Sequence, residues 1–135
     1  MVHEDWLMRQ VEMITRVLAN LLFHKDRPAY VFPQRQEKTD ADLLYTRLTE
    51  RIAAGQINEA ENLLFEHLDE SDPTYLEVAL DFYDRLNQMT NQQLDALGFS
   101  REEVEEGLRD AAAIYGVSPA LLLKADSDEA NPTCG

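Results

Sequence analysis

Residues 53–86 read AAGQINEAENLLFEHLDESDPTYLEVALDFYDRL, and this stretch decides the fold. Gly55 supplies the left-handed position that ends a helix. Ile57, Ala60, Leu63, Leu64 and Leu68 then fall on one face of the next helix, over 57–68. Ala60 is small where two helices must approach closely, so a larger residue there should overpack. Glu70-Ser71-Asp72-Pro73 opens a longer helix to about Met89, with proline at its first position. That helix carries two apolar stripes, one through Tyr75, Ala79, Phe82, Leu86 and Met89, the other through Leu76, Leu80 and Tyr83. A helix apolar on two sides needs neighbours on both.

Working outward, the same chemistry marks every boundary. Upstream, Thr39 or Asp40 can cap a helix over 40–54 that turns Leu43, Leu44, Leu48 and Ile52 inward. Downstream, Thr90 and Gln93 form a capping box stapled by Met89 and Leu94, and that short helix closes at Gly98. Ser100 and Glu103 repeat the device, with Phe99 and Val104 as staple, for a helix over 101–115 that buries Val104, Leu108, Ala111 and Tyr115. Gly116 ends it, Ser118-Pro119 opens another turn or two through 121–123, and 125–135 reads as a polar disordered tail. No segment shows sustained period-two alternation. The expected fold is all-α, six or seven helices in one compact domain over 1–124.

At the N-terminus, a helix over 4–24 carries Leu7, Val11, Ile14, Leu18 and Leu21 on one stripe. Trp6, Met13 and Val17 form a second stripe beside it. Arg9, Glu12 and Arg16 occupy the opposite face as an ion-pair string. The wide apolar arc suits a central core helix packed by two neighbours. The competing expectation makes Trp6, Met13 and Val17 a homodimer contact. Between this helix and Thr39 runs KDRPAYVFPQRQEKT (25–39), where Pro28 and Pro33 discourage helix and Tyr30 and Phe32 can pin the loop to the bundle.

Composition narrows the function classes. The formal charge is −14 over 135 residues, unevenly spread: residues 1–38 hold six Lys/Arg against five Asp/Glu, residues 39–135 six against twenty-one. An acidic body repels phosphate backbones, which argues against nucleic acid despite Lys25, Arg27, Arg35 and Lys38 in the loop. The single cysteine, Cys134, excludes an intrachain disulfide framework. Acidic residues at 4 and 5 stand where a secretory signal would be basic, and the longest apolar run is too short to span a bilayer, so a cytoplasmic setting without membrane insertion is expected. His3, His24 and His67 lack paired ligand spacing, and Glu66-His67 with Glu70 is a chance grouping. His67 reads as a helix-end residue favoured by the C-terminal dipole. The Glu102, Glu103, Glu105, Glu106 run surrounds a helix start, where acids favour the dipole. No common catalytic or phosphate-binding motif is present, so no catalytic residue, cofactor or metal is expected.

Residues 41–74 follow tetratricopeptide spacing through Leu44, Leu48, Gly55, Ile57, Ala60, Leu64, Leu68 and, one residue late, Pro73; Arg51 and His67 depart from it, and no second unit follows. Over the whole chain, DWLMRQVEMITRVLANLLF (5–23), GQINEAENLLFEHLD (55–69), LEVALDFYDRLN (76–87) and GFSREEVEEGL (98–108) occur in one order. Together they resemble an uncharacterised family of small bacterial helical proteins, a domain of unknown function, over about residues 5–117. The resemblance implies a helical, tetratricopeptide-like fold and brings no activity or catalytic residue. Transferring tetratricopeptide geometry would expose Tyr45, Thr49, Tyr83 and Asn87 as a partner-binding groove. The functional expectation is a non-enzymatic adaptor or protein-interaction domain, self-associating or binding another protein. Its alternative is a small-ligand-binding domain or enzyme with a pocket between helix 1 and the loop 25–39.

Overall fold

The computed structural model describes residues 2–24, Pro28, Tyr30 and 39–117, with side chains from Asp5 onward. The apolar knot at Val31 and Phe32, the basic residues of the loop, the turn after Ser118 and the tail lie outside the described residues. The chain is all-helical, with six helices and no strand among the described residues: α1 (Val2–Phe23), α2 (Asp40–Ala53), α3 (Ile57–His67), α4 (Thr74–Asn87), α5 (Asn91–Ala96) and α6 (Arg101–Ile114).

The caps follow the sequence chemistry. Thr39 and Asp42 form a reciprocal capping box on α2, and Thr90 and Gln93 another on α5. Ser100 accepts from the Glu103 amide to start α6. Gly55, Gly98 and Gly116 all take positive φ after helix ends, a conformation that costs other residues steric strain. One cap differs from expectation. Pro73 precedes α4 rather than beginning it, and the Asp72 carboxylate accepts from the Thr74 amide at 3.0 Å.

α1 has the two neighbours expected of it, α4 and α6, but the most enclosed element is α4. It packs against α1, α2 and α6 and buries Leu76, Val78, Ala79, Leu80, Phe82, Tyr83 and Leu86 together with the polar Asp81 and Asn87. Both of its apolar stripes are therefore used. Hydrogen bonds fix the directions. Arg101 at the start of α6 reaches the Asn87 carbonyl at the end of α4, while the Tyr115 hydroxyl after α6 donates to the Asp72 carbonyl before α4. The two helices thus run antiparallel.

α1 buries one stripe, Leu7, Val11, Ile14 and Leu18, with Ala19 beside it. Leu21, expected on that stripe, is instead 57% exposed, while Phe23 near the end of α1 packs against the core. The second stripe faces outward: Trp6 is 51% exposed, and Met13 and Val17 are partly exposed. Leu43, expected inward, is 47% exposed. Adjacent residues are about 100° apart on a helix, and on α2 the inner face belongs to Ala41, Asp42, Leu44 and Leu48. Ala60 has no exposed surface, in keeping with close helix approach there.

Candidate functional site: a charged cleft, an acidic groove and an outer stripe

A polar network ties the crossover to the bundle. The Tyr30 amide donates to Asp81 Oδ2 at 2.9 Å, and its hydroxyl donates to Asp42 Oδ1. Arg85 Nε donates to the other Asp81 oxygen at 2.5 Å, and its Nη2 donates to the Tyr45 hydroxyl. The Tyr30 and Tyr45 rings lie 5.0 Å apart, and the Arg85 guanidinium sits 5.4 Å from the Tyr45 ring, within cation–π reach. Burial, reinforced by the Asp42 carboxylate, pushes the Tyr30 phenol up from 10.0 to about 12. A phenol protonated more tightly in the folded state stabilises fully below its ordinary value, and that contribution is lost as pH rises through the folded value. The fold should therefore weaken between pH 10 and about 12, and Tyr30→Phe should diminish this phase, to which the raised phenols of Tyr75, Tyr83 and Tyr115 also contribute. The same variant should cost about 2 kcal/mol at neutral pH, because it strips a buried carboxylate of a donor; denaturant titration measures it.

Outside this network lies a cleft of about 550 Å³ between α1 and α4, bordered by Pro28. Glu12 and Arg16 of α1 and Asp81, Asp84 and Arg85 of α4 line it, with Met8 and Gln88 at one end, where Asn87 donates to the Met8 carbonyl. Glu12 and Arg16 pair at 3.0 Å. Burial pushes the Asp84 carboxyl above its usual range; the Gln88 hydrogen bond opposes this, Asp81 and Glu12 add to it, and Arg16 partly offsets it.

A second opening, about 290 Å³, lies between α3 and α6 and is lined by Glu61, Glu103, Glu106 and Asp110. At its floor the buried Tyr83 hydroxyl donates to Glu61 Oε2 at 2.6 Å. Burial raises the Glu61 carboxyl, and Glu103, Asp110 and Glu106 raise it further against the Tyr83 hydrogen bond. The folded state therefore holds the Glu61 proton more tightly than the unfolded chain. Stability falls as pH rises from the ordinary carboxyl range through the raised folded value, and the penalty is complete above it. Glu61→Gln keeps an acceptor for Tyr83 and removes the charge. It should melt at a higher temperature than the parent at neutral pH, with the advantage gone in acid, as thermal scans across pH would register.

The four residues expected to form a partner groove do not form one. Tyr83 has no exposed surface, and Asn87, 3% exposed, donates to the Met8 carbonyl at 2.9 Å. Both are covered because α4 is the central helix. Tyr45 is half-buried against Arg85, and the Thr49 hydroxyl donates to the Thr46 carbonyl at 2.9 Å. The seam where Tyr45 and Thr49 meet α4 leaves no water-sized space. Trp6, Met13 and Val17, by contrast, share the outer side of α1. His67 ends α3, its Nδ1 donating to the Leu63 carbonyl at 3.0 Å. Among the described residues no group of three His, Cys, Asp or Glu side chains is arranged to hold a metal ion, and no helix is long and apolar enough to cross a membrane.

Sequence reasoning missed the buried charges. Asp42, Asp81 and Arg101 are 0%, 6% and 7% exposed. Each falls on the buried side of an otherwise apolar helical period, and Asp42 also stands three residues after the Thr39 cap.

No curated protein and no solved structure matches the chain. A family model, described as a family of unknown function (DUF6483), matches residues 1–116. Spanning all six helices and the sites between them, that match makes the chain a member of this family of unknown function.

Proposed function

We propose that this chain is a non-enzymatic bacterial, cytoplasmic protein-interaction module whose contact surface is the outer stripe of α1. The observation that carries the reading is the half-exposed Trp6 beside the partly exposed Met13 and Val17. Large aromatics with Met are enriched at protein contacts, and solvation of such a stripe is unfavourable. The tetratricopeptide-like spacing over 41–74 supports no groove in this reading, since α4 packs on α2 and leaves no water-sized space at that seam. The test is a photo-crosslinking residue in place of Met13, in cells of the native host. A discrete protein adduct, lost when Val17→Asp is added, is the expected result; no adduct overturns the reading.

A second reading has its own observation. The cleft of about 550 Å³ between α1, Pro28 and α4 carries both signs of charge, and a small polar ligand would fit there. A thermal-shift screen of charged metabolites tests it. Saturable stabilisation that disappears in Asp84→Ala would support it, and a flat response across the screen would dismiss it.

A further inference from the structure

We propose that the protein seated on the α1 stripe is a second copy of this chain, its α1 antiparallel to the first, with Trp6 of each copy lodged between Met13 and Val17 of the other. The proposal rests on the reading of α1 as the contact surface and adds the partner and the register.

The argument starts from the charges flanking the stripe. Asp5, Arg9, Glu12 and Arg16 follow one another on one side of α1 at spacings of four, three and four. Asp5, Arg9 and Arg16 are exposed and Glu12 is partly so. In a two-fold symmetric antiparallel helix pair each flank meets its own copy read in reverse, so that residue i faces j and j faces i. Reversed, this series places Arg16 opposite Asp5 and Glu12 opposite Arg9, then the same two pairs again by symmetry. Every acid meets a base. A parallel two-fold pair would put the two charged flanks on opposite sides of the seam, where they cannot pair with each other.

The charge register also fixes where the apolar residues fall. Pairing 5 with 16 and 9 with 12 puts the two-fold axis between Gln10 and Val11. Trp6 then stands level with position 15 of the partner, midway between Met13 and Val17 on its stripe. Two independent patterns, one charged and one apolar, thus select the same alignment. The intrachain Glu12–Arg16 pair, 3.0 Å long with both side chains about half exposed or more, is given up at little cost, since exposed pairs contribute little.

Long-range electrostatics selects the same face. Residues 39–135 hold six Lys/Arg against twenty-one Asp/Glu, whereas residues 1–38 are almost balanced. Two such molecules repel through most of their surface. Meeting at α1 joins the least acidic parts of each.

The experiment is sedimentation of the full chain over a dilution series, read beside the emission of Trp6, its only tryptophan. Wild type should sediment as a dimer whose emission moves to the red as it dissociates. The R9E/R16E double variant makes the flank wholly acidic and should be monomeric at every concentration, with unchanged circular dichroism. The D5R/R9E/E12R/R16E variant inverts the whole flank, restores self-complementarity and should dimerise again, while mixing poorly with wild type. A monomeric wild type, a double variant that still dimerises, or an inverted variant that does not recover each overturns the proposal. A Met13 crosslink to a different protein, with wild type monomeric, removes the second copy yet leaves the interaction reading standing; no Met13 adduct of any kind removes both.

Discussion

Truncating Tyr83 to alanine is expected to cost about 3–5 kcal/mol, enough to unfold much of a domain of ordinary marginal stability. Tyr83 has no exposed surface, and its ring lies edge-on to Phe82 with centroids 5.0 Å apart, inside the layer shared by α3, α4 and α6. Removing the ring opens a cavity that three helices would have to collapse around, and it strips Glu61 of its 2.6 Å donor. Denaturant titration should show a lower midpoint with an unchanged slope. Tyr83→Phe separates the two contributions: it keeps the ring, loses only the hydroxyl, and should cost about 1 kcal/mol. Equal losses in the two variants would mean that the hydroxyl, not the packing, holds this seam.

Gly107 gives the seam a second, sharper readout. A Cβ there would stand 2.3 Å from Glu61 Oε2 and 2.5 Å from the Tyr83 hydroxyl, with the Tyr83 ring at 2.9 Å. The glutamate tip can swing away; the buried ring cannot. Gly107→Ala should therefore destabilise the parent by overpacking, about 1–3 kcal/mol, despite alanine's better helix propensity of about 1 kcal/mol. In the Tyr83→Ala background the space is open, and the same change should become stabilising. That reversal of sign is the coupling a double-mutant cycle measures.

What was legible in the sequence was what depends on short-range chemistry. Thr39, Thr90 and Ser100 cap helices through their own neighbours three residues on, so all three starts could be read without knowing the fold. Gly55, Gly98 and Gly116 ended helices for the equally local reason of positive φ. Which helix is central was not local. α1 and α4 both carry two apolar stripes, and only the packing partners decide that α4 is enclosed on three sides while α1 keeps Trp6, Met13 and Val17 outside. The same gap explains the lost groove. Tyr83 and Tyr45 are equally amphipathic in sequence, but one lies under α6 and the other against Arg85 at the surface.

Arg101 shows the limit most clearly, and replacing it by methionine is expected to cost about 3 kcal/mol. The sequence places it in an acidic run at a helix start, where an exposed cation would be the ordinary reading. It is 7% exposed instead. Its Nη1 donates to the Asn87 carbonyl at 3.0 Å and Nη2 to the Met89 carbonyl, while Nε donates to Asn91 Oδ1 at 2.6 Å. The carbonyls at a helix C-terminus have no partner within the helix, and those at the end of α4 are sealed beneath the α5 turn and the start of α6. Arg101 satisfies them and offsets the negative end of the α4 dipole. Methionine fills similar volume, so the loss would report the unmet carbonyls rather than a cavity. Lysine keeps the charge but cannot reach three acceptors in a planar fork, and Arg101→Lys should recover only part of the loss. Hydrogen exchange gives the spatial check: protection should fall first at the Gln88 and Met89 amides and across α5, while the Thr74 end of α4 stays protected. Uniform loss of protection along α4 would mean that Arg101 acts on global stability alone and does not clasp this helix end.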